Sequence, residues 1–222
     1  HKCPNIHILD PYFKYNSFSK IIIPEHDLNK FKTSTNLLIS KGTLVDKSRF
    51  RNHKIYLSKL KKNIFKKKKI LLLIGGDGRS SKITIKDLAD IIKEMNNLCE
   101  KFQIIYCFSR RTSKQIQNFI KKNSSDGCVF FPNQSFNPYW MLVKISDYLF
   151  VTDDSISMTS DALSTGKPTY IIPIKNKKKK IHKFQEKIRK EGLTRLYKKN
   201  LETWRYQRLD ESKRLSKFVE KL

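Results

Sequence analysis

Asp153, Asp154, Ser155 and Ser157 lie in one short polar turn, between the apolar run Tyr148 to Val151 and a helix-like stretch from Ile156. Hydroxyls and free backbone N–H groups gather there at the positive end of a helix dipole, and such an end suits a phosphate. The same side chains also serve as helix caps, Asp154 or Ser155 accepting from the first turn. Asp161, one or two turns into the helix, would aim a carboxylate at sugar hydroxyls beside that phosphate. Gly75 and Gly76 open a second such place, in Gly75-Gly76-Asp77-Gly78, where a backbone without side chains turns tightly and approaches a ligand closely. The run matches neither a Walker loop nor a dinucleotide fingerprint. Ser109-Arg110-Arg111-Thr112 is a third: arginine grips an anion through a planar fork that lysine lacks, although surface ion pairing is the alternative use. Asn137 would cap a helix with Pro138 at its first position, and Tyr139 and Trp140 would either stack on a base or pack in a core. Glu25, His26 and Asp27 follow an apolar strand, as a titratable cluster or as a solvated turn.

Five short apolar runs position these groups. The stretch from Ile145 to Ile174 reads as a strand, a turn, a helix from Ile156 to Ser164 and a second strand from Thr169 to Pro173. Gly166 stops the helix and Pro168 prevents its continuation. Before it come a strand at Ile70 to Ile74, a helix from Ile85 to Phe102 and a strand at Gln103 to Phe108. A helix from Ser113 to Lys122 and a short strand at Gly127 to Phe131 follow. Strand and helix alternate from Ile70 to Lys190, which predicts a parallel sheet with helices on both faces. The loops at Gly75-Gly76, Ser109 to Thr112, Asn137-Pro138 and Asp153 to Ser157 then fall at one edge of that sheet and converge on one crevice. Upstream, strands are expected at Asn5 to Leu9, Lys20 to Ile23 and Asn36 to Ser40, with Lys61 to Lys69 as a basic linker. Downstream, Lys175 to Lys190 reads as one basic helix, and Asp210 to Leu222 as a last helix.

With 38% hydrophobic residues over 222 positions, the chain can bury one good core or two small ones. Its longest apolar runs are far too short to span a bilayer. A net charge of +27 draws attention to polyanions. The lysines, however, are scattered through a chain rich in Ile and Asn, as AT-rich coding produces, and no nucleic-acid-binding motif accompanies them. Nucleic acid is therefore not the expected partner. The four cysteines show no metal-ligand spacing and read as free thiols in a reducing compartment. The chain opens on His1 instead of Met, so an incomplete N-terminal portion is expected.

The segments IGGDGRSSKIT, FSRRT, FNPYWMLVKISDYLFVTDDSISMTSDALSTGKP and ETWRYQRLDES, with PEHD near residue 25, resemble in order and spacing the mitochondrial fission ELM family. That family has many bacterial members and looks like a relative of GT-B glycosyltransferases. The resemblance implies an α/β fold of two Rossmann-like domains facing a cleft, the first incomplete. Residues 1–65 would be the partial first domain and linker, 66–206 the nucleotide-binding domain, and 207–222 a helix returning to brace the first. It further implies a nucleotide-sugar donor, with Ser155, Ser157, Arg110 and Arg111 on the phosphates and Asp161 on the ribose, where the family usually carries Glu. Gly75, Gly76, Ser109, Thr112, Asn137, Asp154 and Met158 would complete the pocket. His26 would be the base, oriented by Asp27 or Glu25, and GT-B chemistry requires neither metal nor further cofactor. A cytoplasmic protein is expected, at the inner face of an anionic membrane if its acceptor is lipid-linked. The competing expectation from the same family is a non-catalytic adaptor that recruits a protein partner to a membrane.

Overall fold

The computed structural model describes residues 3–30, 36–46, 48, 67–132 and 138–220. Its centre is β4 (Lys68–Ile74), which pairs in parallel with β6 (Phe102–Phe108) on one side and β8 (Tyr148–Thr152) on the other. The sheet continues outward through β7 (Val129–Phe131) at one edge and β9 (Thr169–Ile172) and β11 (Arg195–Leu196) at the other, in the order β11-β9-β8-β4-β6-β7. β4 has water on neither face, which is why it is a continuous apolar run and does not alternate. Ile70 to Leu73 are completely buried, each contributing roughly 1.5–3 kcal/mol of transfer free energy.

Alternate residues of β4 feed two different cores. Ile70, Leu72 and Ile74 meet Leu88, Ile92 and Met95 of α1 (Ile85–Leu98) and Ile116 and Ile120 of α2 (Lys114–Asn123). Leu71 and Leu73 meet Met141, Leu142 and Val143 of α3 (Tyr139–Ile145) and Ala162 of α4 (Ile156–Leu163). The result is helices on both faces of a parallel sheet. Gly166, at φ +75°, ends α4 as its sequence position required.

A second, three-stranded parallel sheet holds β1 (Ile6–Ile8), β2 (Lys20–Pro24) and β3 (Leu37–Ser40). Pro24 leads directly into a 3₁₀ turn over Glu25–Lys30, which packs on α5 (Lys179–Lys190). After β3 the chain is fastened by buried groups: Thr43 N–H donates to Ser160 Oγ of α4 at 3.1 Å, and Lys41 N–H donates to Glu211 Oε2 at 2.8 Å. Glu211 begins α6 (Glu211–Val219), whose Ser212 hydroxyl also donates to Val45 O.

The elements differ from the sequence expectation in several places. Lys175 to Lys178 are not helical: β10 (Asn176–Lys177) pairs antiparallel with β5 (Ser81–Lys82), and the helix starts only at Lys179. The cause is tertiary, since Lys177 Nζ reaches Asp153 Oδ2 at 2.9 Å and Lys178 N–H donates to Ser80 O. The expected linker loses its last two residues to β4, where Lys69 N–H donates to Asp147 Oδ2. The helix expected to reach Phe102 ends at Leu98, because Phe102 already pairs with Lys68. Residues 61–66 and Asn137 lie outside the described residues; Pro138 occupies the cap position of α3, one residue before the position expected for it.

Removing the Glu211 carboxylate leaves the Lys41 N–H without its acceptor, so Glu211→Ala is expected to cost about 1–3 kcal/mol. Urea denaturation should show that loss, against a change within about 0.5 kcal/mol for the exposed Lys213→Ala; equal midpoints would remove this fastening from the account.

Candidate functional site

Three loops leave the carboxyl ends of β4, β6 and β8 and are tied into one unit. Gly75 N–H donates to Thr152 Oγ1 at 2.8 Å, and Gly76 N–H donates to Asp154 Oδ2 at 3.1 Å. The Thr112 hydroxyl stands 2.5 Å from Gly75 O, while Asp77 N–H donates to Arg111 O. The glycines are required by this knot. A Cβ on Gly75 would lie 2.1 Å from Asp154 Oδ2, and one on Gly76 would lie 2.1 Å from the Arg111 carbonyl. What the bare backbone approaches so closely is therefore the neighbouring protein loops.

Asp153 and Asp154 are both buried. Asp153 accepts Ile174 N–H and pairs with Lys177; burial pushes its carboxyl up, and the lysine pulls it back. Burial likewise raises Asp154, against the pull of Thr152, Gly76 N–H and the Arg111 guanidinium. Its Oδ1 has no hydrogen-bond partner among the described residues. Asp154 thus holds the Gly75-Gly76 loop in place.

Next to this knot α4 begins. Ser155 is its cap, accepting from Met158 N–H at 3.3 Å, and Ser157 is exposed on the first turn. Met158 packs on the core beside Leu149 and Val151. Arg110 and Arg111 are exposed, and Arg111 folds across Gly78, whose Cβ position is 2.6 Å from its Nη1. Ser109 Oγ accepts Arg111 N–H and so fixes that turn. Asp161 accepts the Tyr139 hydroxyl at 2.8 Å; burial raises the Tyr139 phenol, and the Asp161 charge raises it further. Tyr139 is therefore neither a base-stacking platform nor mere core, because its polar tip holds a carboxylate.

The structure brings Gly75, Gly76, Ser109, Arg111, Thr112 and Asp154 together, with Ser155 following directly in the chain. Glu25, His26 and Asp27 lie elsewhere, on the 3₁₀ turn against α5. His26 stacks edge-on against Phe184, and its Nε2 is 3.7 Å from Asp27 Oδ2. Asp27 also pairs with Lys180 at 3.2 Å and Glu25 with Lys187. Sequence reasoning missed Thr152, whose signal is a single hydroxyl closing an otherwise apolar strand. It also missed Lys177, whose partner is remote in the chain. No group of three or more His, Cys, Asp or Glu among the described residues is arranged to hold a metal ion.

Parallel sheets carrying their loops at one carboxyl edge, beside a second parallel sheet, define an α/β fold of the GT-B type. Solved structures agree. The chain superimposes on UDP-GlcNAc 2-epimerase from Methanocaldococcus jannaschii, in complex with UDP-GlcNAc and UDP, with a TM-score of 0.54 and 14% identity, covering 93% of this chain and 62% of that one. The Neisseria meningitidis enzyme bound to UDP-GlcNAc gives 0.51 and 14%, covering 94% and 63%. Identities this low carry the fold alone. The pattern of the family described as Mitochondrial fission ELM1 matches residues 1–222, and the chain belongs to that family. Mitochondrial fission protein ELM1 of Arabidopsis thaliana is 30% identical over 132 residues, which is 57% of this chain and 30% of the plant protein. An uncharacterized protein of Rickettsia prowazekii is 30% identical over 159 residues, 67% of this chain and 45% of its own. The chain spans less than half the length of either relative.

Gly76→Ala should destabilise the chain by about 1–3 kcal/mol or more, because backbone atoms must move. Gly78→Ala meets only the end of a flexible arginine, and should be tolerated within about 1 kcal/mol. Thermal melts of the two variants test the knot; equal stabilities would contradict it.

Proposed function

We propose that the chain binds the diphosphate of a nucleotide-sugar at the edge formed by Gly75-Gly76, Ser109 to Thr112 and the start of α4. The observation that carries this reading is the knot itself: three loops locked together beside a half-buried helix N-terminus, with Ser157 exposed on its first turn, and two exposed arginines. A helix end carries about half a positive charge, and a locked site loses little order when its ligand arrives. Ser155 and Ser157 supply hydroxyls and backbone N–H groups, and Arg110 and Arg111 supply charge. Asp161, held by Tyr139, takes the ribose hydroxyls.

In a transfer reaction the acceptor oxygen attacks the anomeric carbon, and the bond from that carbon to the diphosphate breaks. The helix end and the arginines stabilise the departing nucleotide diphosphate. His26 takes the acceptor proton; burial lowers its basicity, with Asp27 and Glu25 pulling the other way. Residues 1–65 and 66–206 are the two halves that enclose donor and acceptor, and 207–222 brace the first half. No helix among the described residues is long and apolar enough to cross a membrane. A second reading, a non-catalytic adaptor recruiting a protein partner to a membrane, is favoured by the Arabidopsis relative that is named for mitochondrial fission.

A thermal-shift screen against UDP, GDP, CMP, dTDP and their sugars, at low and moderate salt, separates a fitted site from general attraction. One nucleotide should stabilise the chain at both, by about 2.7 kcal/mol at a hundredfold excess over Kd. The double variant Ser155→Ala, Ser157→Ala should bind it more than about tenfold less tightly. Equal stabilisation by every anion at low salt, and none at moderate salt, would leave the adaptor reading.

A further inference from the structure

Between the 3₁₀ turn at Glu25–Lys30 and α5 lies a cavity of about 350 Å³. Glu25, His26 and Phe184 line it, together with Lys179, Lys180, Lys183 and Lys187 of the helix. Those lysines recur at helical spacing and so share one face, where like charges repel. Two of them are answered: Lys187 pairs with Glu25, and Lys180 with Asp27. Among the described residues no carboxylate lies within ion-pair reach of Lys179 or Lys183.

The imidazole at the wall is also unanswered. The His26 side chain is 8% exposed, its Nδ1 is buried with no hydrogen-bond partner, and its Nε2 is too far from Asp27 to bond to it. Burial, aided by Lys180, holds the ring neutral against Asp27 and Glu25. A neutral ring keeps one N–H to donate, and takes up a proton if a strong acceptor arrives. The volume is at the low end for ligand sites and exceeds what a bare ion needs.

We propose that this cavity binds the phosphate group of an acidic molecule, held by Lys179, Lys183 and His26. As a binding site, this inference stands without the transferase reading; under that reading, an imidazole engaged by the phosphate is a binding group and no longer the base. The same phosphate chemistry is offered by a soluble phosphate ester or by a lipid headgroup.

Calorimetry of the full chain at moderate salt, with glycerol 3-phosphate and with glycerol, tests the soluble source. Vesicles containing phosphatidic acid, against phosphatidylglycerol vesicles of matched charge, test the headgroup. Binding to at least one phosphate probe is expected, and Lys183→Gln and His26→Gln should each weaken it by about tenfold or more. Lys101→Gln, on the exposed turn between α1 and β6, should leave it unchanged. The His26 resonances should titrate at higher pH when the probe is bound, because an anion joins Lys179, Lys180, Lys183, Lys187, Glu25 and Asp27 around the ring. If the buried His26 variant does not fold, the exposed Lys183 variant decides. A preference for the soluble ester or for phosphatidic acid names the source. No binding, an equal loss in Lys101→Gln, or equal binding to the phosphatidylglycerol vesicles would overturn the proposal. UDP binding measured on the same variants keeps the two sites apart: intact UDP binding without phosphate binding removes this cavity alone.

Discussion

A carboxylate taken out of water needs hydrogen bonds, and Asp154 finds one through its Oδ2 by holding the backbone of a different loop. Its Oδ2 accepts Gly76 N–H, while Thr152, two residues earlier, accepts Gly75 N–H. Gly75 and Gly76 lack side chains so that the carboxylate and the Arg111 carbonyl can close on them. The loops of β4, β6 and β8 are consequently one rigid piece, although they come from remote parts of the chain. The first turn of α4 and the two arginines are presented from that piece. Catalytic and binding groups carried on such a frame need little reorganisation when a ligand binds.

The second parallel sheet is held to this frame by a different kind of contact. Hydrogen bonds from Thr43 and Lys41 to the buried Ser160 and Glu211 side chains fix the chain that leaves β3. Around them, exposed pairs such as Lys41 with Glu191 and Lys180 with Asp27 contribute about 0–1 kcal/mol each and weaken with salt. Some of the basic charge is thus absorbed in positioning the turn that carries His26. The rest of the α5 lysines stay available to an anion.

Much of this organisation is legible in the sequence because it depends on local chemistry. The apolar run of β4, the Ser155 cap and the Gly166 stop each follow from neighbouring residues, and the family resemblance drawn from residues 24–27, 74–84, 108–112, 136–168 and 202–212 agrees with a match over the whole chain. The failures are all long-range. Lys175 to Lys178 carry no local signal for a strand, since Ser80, Ser81 and Asp153 decide it. Glu25 and Asp27 read as partners for His26; Asp27 Oδ2 stands 3.7 Å from its Nε2, and what the sequence does not show is that the two carboxylates also pair with Lys187 and Lys180, more than 150 positions away. The glycine pair reads as space for a ligand, and the space is filled by Asp154 and Arg111.

Hydrogen exchange of the backbone amides, with and without UDP at moderate salt, tests the central claim most directly. Slowed exchange is expected at Gly75 to Asp77, Arg110 to Thr112 and Ser155 to Met158, all saturating at the same UDP concentration. Protection confined to the lysines of α5, or none in the three loops while UDP is bound elsewhere, would contradict it.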